Sequence, residues 1–358
     1  MKSLRSRRFT SWIRSHPRAA IIIAGVFLIA IAGSITALAL LKPLPDYKAP
    51  DIAVDRPEPE PPRVYYSPLT GATVKDEAAT KRAVTAVMVE NSPDARPQSG
   101  LKNSGVVFEA IAEGGITRFL VLYQNEQPKL VGPVRSVRMY YVDWLAAFNA
   151  SVAHVGGSYK ALKEIRNGKY RDIDQFFNAD TYWRASDRYA PHNVYTNFTR
   201  INALNKKKGY TTSSFTGFTR KDSSASKEPT TKKISIVISS ALYNSTYTYN
   251  SRTNTYDRFQ AGAKHNDRES GQISPRVVIA MLVDQHSVFE DGWREQINAV
   301  GKGTAYIFQD GVRQKVTWTK KSRTSQITFT DSNGKDVPLA RGQTWITAIP
   351  KNKGSVSW

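Results

Sequence analysis

The chain has no cysteine among its 358 residues, which excludes disulfide bonds, thiolate metal ligands and a cysteine nucleophile. It also excludes a lipid attached to an N-terminal cysteine. Histidine is scarce, because the sequence has only five histidines and none lies at ligand spacing from another. Without cysteine and without a His-x-x-x-His pattern, we expect neither a bound metal nor a cofactor. No serine lies in the Gly-x-Ser-x-Gly motif of α/β hydrolases.

The first 45 residues contain no acidic residue. Six basic residues lie within residues 1–18, and an unbroken apolar run follows them. At about 1.5 Å per residue, the run over 19–41 is long enough to cross the ~30 Å hydrocarbon core of a bilayer. The positive-inside rule therefore predicts a cytoplasmic basic tail over 1–18, a transmembrane helix over 19–41 and an extracytoplasmic remainder. The alternative is a signal peptide cleaved at the Ala-Leu-Ala site at 37–39, although its apolar region would usually be only about 7 to 15 residues long.

The remainder of the chain is basic in its own right. The formal net charge is +21, and the six basic residues before the apolar run leave +15 for the rest. This charge favours anionic surroundings, such as lipid head groups, phosphate-bearing wall polymers or nucleic acid. Export and the lack of any RNP or helix-turn-helix signal argue against nucleic acid. We therefore expect two kinds of partner, the membrane and either an anionic wall polymer or a small anionic ligand; no protein partner is indicated.

Changes in composition divide the exported part. Seven prolines among charged residues predict an extended spacer over 42–63. A Ser, Thr and Lys-rich stretch over 211–233 predicts a linker between two domains. The N-terminal domain, 64–210, mixes strands with helices, which indicates an α/β or α+β fold. The C-terminal domain, 234–358, should be mainly antiparallel β.

Short apolar segments bounded by turn residues predict the strands of both domains. In the N-terminal domain these segments are 84–90, 106–112, 119–123 and 151–155. In the C-terminal domain they are 234–239, 277–283, 304–308, 315–319, 326–330 and 344–349, with hairpin-turn dipeptides at 310–311 and 333–334. A helical periodicity places six apolar side chains on one helix face, namely Val137, Tyr140, Tyr141, Trp144, Leu145 and Phe148.

Residues 132–138 read Gly-Pro-Val-Arg-Ser-Val-Arg and lead directly into the predicted helix. Ser136 is a candidate N-cap. That choice places Arg135 just before the cap and Arg138 in the first turn, where the helix dipole disfavours positive charge by about 0.3 to 1 kcal/mol each. A negative group should therefore lie nearby.

Two interpretations of that negative group remain open. It could be a carboxylate of the same fold, for which Glu109 and Glu113 are the candidates, or an external anion at the helix N-terminus. Arg118, at the start of a strand, could join either arrangement. Glu109 and Glu113 would face the same side of a strand about 13 Å apart, beyond the ~5 to 9.5 Å of catalytic carboxylate pairs, so an ion-pair role is favoured for them.

Two further features could contribute to a site. Gly156 and Gly157 follow a predicted strand and precede a predicted helix over 159–166, which is the general shape of a phosphate cradle; a tight turn is the simpler interpretation. His192 lies in an irregular polar segment among arginines, where it should be neutral and could act as a base. The simpler interpretation is that it hydrogen-bonds the loop backbone. His154, inside an apolar strand, is expected to be a core residue.

Six separate segments carry a family resemblance: 95–101, 113–119, 132–138 and 190–193 in the N-terminal domain, and 300–303 and 318–323 in the C-terminal domain. Together they resemble the YerB-like bacterial lipoproteins, whose two domains are known as DUF3048 domains of unknown function. The resemblance implies a bacterial, exported, two-domain envelope protein and implies no activity. The chain departs from it in lacking an acylated cysteine and in having Glu90 where aspartate is expected more often.

We predict a membrane-anchored extracytoplasmic cell-envelope protein whose N-terminal domain binds a phosphate- or carboxylate-bearing ligand, since arginine suits both groups. One alternative is an envelope hydrolase or transferase acting on a glycan or phosphate-bearing polymer, with Glu109, Glu113 or His192 as acid or base. Another is a structural scaffold whose arginines are all paired internally. The predicted ligand-binding residues are Arg118, Arg135, Ser136, Arg138, Gly156, Gly157, Arg184, Arg188, His192 and Asn193.

Overall fold

The computed structural model describes residues 10–40, 63–290 and 292–358. Half of the predicted basic tail and nearly all of the predicted spacer therefore lie outside the described residues. The chain divides into two units, one up to Pro61 and one from Pro62 onward. In the first unit, helix α1 covers Pro17–Leu40. Its part from Pro17 to Ala37 has a mean hydropathy of 2.5 and is long and apolar enough to cross a membrane, a property that signal sequences share.

The N-terminal half of the second unit mixes strands and helices, as predicted. All four predicted strands are present, although the last ends two residues early. The strands that this half contributes to the largest sheet are β1 (Thr85–Glu90), β2 (Val106–Glu113), β3 (Ile116–Tyr123), β4 (Ser151–Ala153) and β5 (Arg171–Asp172). The helices are α2 (Glu77–Thr80), α3 (Met139–Leu145), α4 (Tyr159–Ile165) and α5 (Phe198–Lys207).

Helix α3 begins at Met139, so the prediction of Ser136 as its N-cap is wrong. The N-cap position is occupied by Arg138, whose backbone is extended (φ −124°, ψ 158°). The helix cannot begin earlier because residues 135–137 hydrogen-bond to two neighbouring segments, β1 and the turn at Gly156. Arg135 N–H donates to a carbonyl of β1 and Val137 N–H donates to Gly156 O, and these bonds require an extended backbone.

The C-terminal half is mainly antiparallel β, and each of its six predicted segments contains a strand. Asp310 and Gly311 both have positive φ (58° and 79°) and form the two-residue turn of one hairpin, as predicted. The strands of three or more residues, together with the two-residue strand β9, are β6 (Lys233–Val237), β7 (Ser245–Asn250), β8 (Thr255–Gln260), β9 (Ala263–Lys264), β10 (Val277–Val283), β11 (Gln285–Phe289), β12 (Trp293–Ile297), β13 (Gly301–Gln309), β14 (Val312–Lys320), β15 (Thr328–Thr330), β16 (Thr344–Pro350) and β17 (Ser355–Ser357).

One ten-stranded sheet joins the two halves. Its order is β15-β14-β13-β10-β16-β2-β3-β1-β4-β5, and a five-stranded sheet, β9-β8-β7-β6-β17, forms separately. Strand β16 is the junction, because it runs parallel both to β10 and to β2, with Trp345 opposite Val278 on one side and Val107 on the other. The ten-stranded sheet therefore contains strands from both predicted domains.

The predicted linker packs against this body. Val84 N–H donates to Ser213 Oγ at 2.9 Å, and Arg220–Lys221 pairs in parallel with Leu339–Ala340. Phe218 is buried in a core with α3. The stretch 211–233 is thus an ordered connection that covers part of the large sheet.

Both faces of the ten-stranded sheet are covered, which explains why every residue of β1 is buried. On one face lie α3 and α4, and the six side chains of the predicted helix face are all at most 1% exposed. On the other face, residues of β6, β7 and β8 form a second core with odd-numbered residues of β2 and β3, such as Val107 and Phe119. Successive side chains of a strand alternate between these two cores.

Candidate functional site

The segments that carry the sequence motifs meet where β1 ends. Glu90, its last residue, donates its backbone N–H to Pro133 O at 2.9 Å. Val134 N–H in turn donates to Val194 O at 2.7 Å. The segment 132–138 is therefore held between the end of β1 and the chain that follows His192.

Arg118 and Arg138 are both bound to one carboxylate of the fold. Arg118 Nη2 lies 2.8 Å from Glu113 Oε1, and Arg138 binds Glu113 Oε2 through Nε at 3.0 Å and through Nη2. The two arginines are only 2% and 6% exposed. Burial alone would raise the pKa of Glu113, but the two guanidinium groups outweigh it and lower the pKa to about 2. We call these three residues the Glu113 cluster.

The Glu113 cluster corrects the predicted anion site. Arg118 Nη1 donates to Ser136 O at 2.8 Å and Arg138 Nη1 donates to Val137 O at 2.9 Å, so both guanidinium groups are also bound to backbone carbonyls. An internal ion pair, one of the two arrangements that the sequence left open, is the one observed. We therefore remove Arg118, Ser136 and Arg138 from the anion site.

Glu109 and Glu113 do not face the same side of β2, contrary to expectation. The pairing of β2 with β3 shifts register between Ile111 and Glu113, and this bulge turns Glu113 to the opposite face of the sheet. Glu109 is fully buried in the other core, where it accepts hydrogen bonds from Arg258 Nη2 at 2.8 Å and Trp345 Nε1 at 3.0 Å. Both glutamates serve ion pairs, so neither is a free acid or base.

Sequence reasoning missed the buried network around Arg258. Its Nη1 lies 2.7 Å from His265 Nδ1, and His265 Nε2 lies 3.0 Å from Gln98 Oε1. Burial, reinforced by Arg258, holds the pKa of His265 well below its usual range. Gln98 Nε2 donates to Glu90 O at 3.0 Å, so the network extends from Glu109 to the end of β1. No local pattern could have indicated it, because its members come from both halves of the chain.

The glycine turn and its histidine are structural. Gly156 N–H donates to Asp174 Oδ1 at 3.2 Å, so this donor is occupied by a carboxylate of the protein. A Cβ on Gly157 would lie 2.7 Å from Val137 Cγ1, which shows that the glycine allows close packing. His154 is fully buried between Gly156 O at 2.7 Å and Asp172 Oδ1 at 3.0 Å, as expected of a core residue. We remove Gly156 and Gly157 from the anion site.

His192 is bound to a buried carboxylate. Its Nδ1 lies 2.9 Å from Glu90 Oε1, and Glu90 is only 3% exposed. Ser92 Oγ donates to the same oxygen at 3.0 Å, and Arg135 Nε lies 3.3 Å from it. The other ring nitrogen, Nε2, points toward Asp94, with 3.9 Å between Nε2 and Oδ2. The expectation that His192 hydrogen-bonds only loop backbone is therefore wrong for its side chain.

An open cleft of about 630 Å³ lies beside His192, and we call it the His192 cleft. The residues that line it are Asp94, Arg96, Pro97, Asp187, Arg188, Tyr189, His192 and Arg268. Arg268 is paired with Asp187. No group of three or more side chains that could hold a metal ion occurs in the part of the chain that the structure describes.

Arg96 and Arg188 are held by neutral groups. Arg188 donates to Asp94 O at 2.9 Å and to Pro97 O at 2.6 Å. Arg96 donates to the side-chain and backbone oxygens of Asn91 and lies over the Tyr243 ring, 5.2 Å from its centroid. Neither arginine forms an ion pair with a carboxylate within residues 63–290 and 292–358.

The predicted ligand-binding residues thus separate into three groups. The first group is held by contacts within the fold and consists of Arg118, Ser136, Arg138, Gly156 and Gly157. Arg188 and His192 line the cleft. Arg135 is connected to the cleft indirectly, because it pairs with Glu90, the residue that binds His192. Arg184 and Asn193 stabilise the loop, since Arg184 Nη1 donates to Asn193 Oδ1 at 2.8 Å and Asn193 Nδ2 donates to two loop carbonyls. Arg96 was missed, although it lies in the 95–101 segment that carries part of the family resemblance.

Comparison with known proteins agrees with this architecture. Residues 69–211 match the N-terminal domain and residues 234–346 the C-terminal domain of "Protein of unknown function (DUF3048)". The chain is 32% identical over 288 residues to "Putative lipoprotein YerB" of Bacillus subtilis (strain 168), covering 79% of this chain and 86% of that protein. The crystal structure of the YerB protein from Bacillus subtilis matches with a TM-score of 0.72 and 31% identity, covering 82% of this chain and 100% of that one. The chain therefore belongs to the DUF3048 family.

Proposed function

We propose that this protein is a membrane-anchored, extracytoplasmic cell-envelope protein that binds an anionic group in the His192 cleft. The anionic group is a phosphate or a carboxylate of a larger ligand, since the cleft is open. The relative named as a lipoprotein supports a membrane location. In this chain, which has no cysteine to acylate, α1 would be the anchor, with the basic N-terminus in the cytoplasm.

The observation that carries the proposal is the absence of carboxylate partners for Arg96 and Arg188 among the described residues. Carbonyl and amide oxygens fix the two guanidinium planes, and the acidic groups that interact with them, Glu109 with Arg96 and Asp187 with Arg188, do so without direct contact. Burial lowers the pKa of Arg96, because its charge is less well solvated than in water. An anion in the cleft would supply the missing charge, and the planar fork of arginine binds phosphate and carboxylate through two parallel hydrogen bonds.

The volume of the cleft and the net positive charge of its lining residues agree with such a ligand. Three arginines and two aspartates line it, and one aspartate is already paired with Arg268. A volume of about 630 Å³ exceeds what a free phosphate ion fills, so part of a polymer or of a head group can enter.

Binding is tested by thermal unfolding of the full-length chain in detergent with inorganic phosphate or acetate as the probe, at matched ionic strength. We expect phosphate to stabilise the wild type and Arg252→Gln, which removes an exposed charge at the β7–β8 turn, but not the double variant Arg96→Gln/Arg188→Gln. A ligand at 100 times its Kd adds about 2.7 kcal/mol to the free energy of unfolding. Equal stabilisation of all three proteins would overturn the proposal.

The proposed topology is tested separately, because a chain without cysteine accepts single-cysteine labels without background. We expect a membrane-impermeant maleimide to label Thr253→Cys in intact cells, and Ser3→Cys only after the membrane is opened. Labelling of Ser3→Cys in intact cells would contradict a cytoplasmic N-terminus.

A further inference from the structure

The two ring nitrogens of His192 have different surroundings. Nδ1 faces the protein interior, where Glu90 Oε1 lies at 2.9 Å and Ser92 Oγ at 3.2 Å. Nε2 faces the cleft, and its nearest acidic group is the exposed Asp94 carboxylate, with 3.9 Å between Nε2 and Oδ2. Asp94 itself lines the cleft. The ring therefore connects a buried carboxylate to an open, basic cavity.

The hydrogen bonds determine where the neutral ring carries its proton. A carboxylate oxygen only accepts, so Nδ1 must donate to Glu90, and the lone pair of the neutral imidazole is then on Nε2. A histidine oriented in this way by a carboxylate recurs in sites where histidine acts as a general base. The base and its orienting group are thus both present at the cleft.

Ser92 is not placed to act as the nucleophile. Its hydroxyl donates to Glu90 Oε1 at 3.0 Å and lies on the Nδ1 side of the ring, away from Nε2. A serine activated by His192 would have to lie on the Nε2 side. With Ser92 excluded, the open cleft leaves the Nε2 side of the ring accessible to water.

We infer that the His192 cleft hydrolyses a phosphodiester, with His192 as the general base; this inference rests on the proposed anion binding. His192 Nε2 takes a proton from a water molecule, whose oxygen forms a bond to phosphorus. The bond from phosphorus to the leaving oxygen breaks on the opposite side, that oxygen keeps the electron pair and takes a proton from solvent water, and the imidazolium releases its proton to solvent. One water is consumed, and the products are a phosphomonoester and an alcohol.

The lining of the cleft favours a phosphodiester over a glycoside. The charge that Arg96 and Arg188 would bind lies on the reacting phosphoryl group itself, so the two guanidinium groups would also stabilise the charge of the transition state. Glycoside hydrolysis instead requires two free carboxyl groups on opposite sides of the bond. Of the two aspartates at the cleft, Asp187 is paired with Arg268.

Glu90 acts as a positioning residue in this account. Its Oε1 is fixed from three directions, by His192, by Ser92 and by Arg135 Nε at 3.3 Å. Loss of its charge should slow the chemical step without weakening substrate binding, because Glu90 does not line the cleft.

The test uses the full-length chain in detergent, with bis(p-nitrophenyl) phosphate as the substrate. We expect His192→Asn to lower kcat by about 10²- to 10⁴-fold, the usual contribution of a general acid–base group. Glu90→Gln should lower kcat by a smaller factor with KM unchanged, and Glu90→Asp, which keeps the carboxylate, should recover part of the loss. His286→Asn is the matched control, since His286 is exposed on β11 and is not among the residues that line the His192 cleft.

Phosphate-dependent thermal stabilisation is measured on the same samples, so that binding and catalysis can fail separately. Stabilisation of His192→Asn without turnover would support the inference. Equal hydrolysis by the wild type and His192→Asn, or none by either, would overturn it, and stabilisation of both by phosphate would leave the proposed binding intact. If phosphate stabilises neither protein, the proposed function fails as well.

Discussion

The Glu113 cluster and the His192 cleft are built from the same residue types with opposite results. In the cluster, two buried arginines share one carboxylate, and the carbonyls of Ser136 and Val137 bind their remaining donors. In the cleft, Arg96 and Arg188 are fixed by carbonyl and amide oxygens, which carry no charge. We call the first arrangement closed, because both of its arginines are paired with a carboxylate. We call the second arrangement open, because neither of its arginines is.

The partner of the guanidinium group distinguishes an arginine with a structural role from an arginine that can bind a ligand. Arg118 and Arg138 lie in motif segments and Arg188 lies beside one, so their positions in the chain do not distinguish them. The distinction depends on the partner of each guanidinium group. A carboxylate partner neutralises the charge, whereas a carbonyl partner fixes the geometry and leaves the charge available to a ligand.

The largest expected effect comes from opening the closed cluster. We expect Glu113→Gln to lower the free energy of unfolding by about 3 kcal/mol near neutral pH, because a pKa lowered from 4.5 to about 2 corresponds to roughly that energy. Urea unfolding at several pH values measures it. Glu228→Gln, at an exposed position, should change stability by less than about 0.5 kcal/mol.

The pH dependence of this variant has a definite sign. Because the folded-state pKa of Glu113 is depressed, its contribution is fully present above about pH 4.5 and is lost as the pH falls toward 2. The difference between wild type and Glu113→Gln should therefore shrink across this window. A difference that stays constant from pH 7 to pH 2.5 would contradict the assigned ion pairs.

The glycine turn at 156–157 is structural, like the Glu113 cluster, because its contacts are made within the fold. We expect Gly157→Ala to destabilise the fold by about 1 to 3 kcal/mol, because the new Cβ would lie 2.7 Å from Val137 Cγ1 and 3.0 Å from Val137 O. The double variant with Val137→Ala should show a smaller cost for the glycine change, as thermal unfolding of the four proteins of the cycle would reveal. Strict additivity would mean that this contact is not the cause.

A substitution that removes the carboxylate of the Glu113 cluster should make the cluster open, with a smaller effect on stability than the changes above. Glu113→Ala leaves Arg118 and Arg138 without their carboxylate, at a position whose side chain is 27% exposed. Added acetate should then stabilise this variant by about 1 kcal/mol more than it stabilises the wild type. Chloride at the same ionic strength serves as the control. No difference between the two salts would mean that the cluster cannot exchange its internal anion for an external one.

Local features of the fold could be predicted because they depend on short stretches of sequence. The apolar helix follows from the length of its apolar run, the strands from short apolar segments between turn residues, and the buried face of α3 from helical periodicity. The Ser136 N-cap was wrong because distant backbone groups hold residues 135–137 extended. The junction of both halves at β16 has no local signal, since its partner β2 lies more than two hundred residues away.

The candidate site was predictable only in part, for the same reason. His192 and Arg188 could be selected because polar residues cluster around them. The partner of His192, Glu90, lies 102 residues away, and the Glu109–Arg258 pair spans 149 residues. The bulge between Ile111 and Glu113 reversed the facing of Glu113, and a regular alternation cannot anticipate it.

Chemical modification of arginine by phenylglyoxal, mapped by mass spectrometry on the folded full-length chain, tests the central comparison most directly. We expect Arg96 and Arg188 to be modified without phosphate and protected by it, Arg252 to be modified in both conditions, and Arg118 and Arg138 to resist in both. Modification of Arg118 and Arg138 as fast as Arg188, or no protection of Arg96 and Arg188 by phosphate, would contradict the division into a closed cluster and an open cleft.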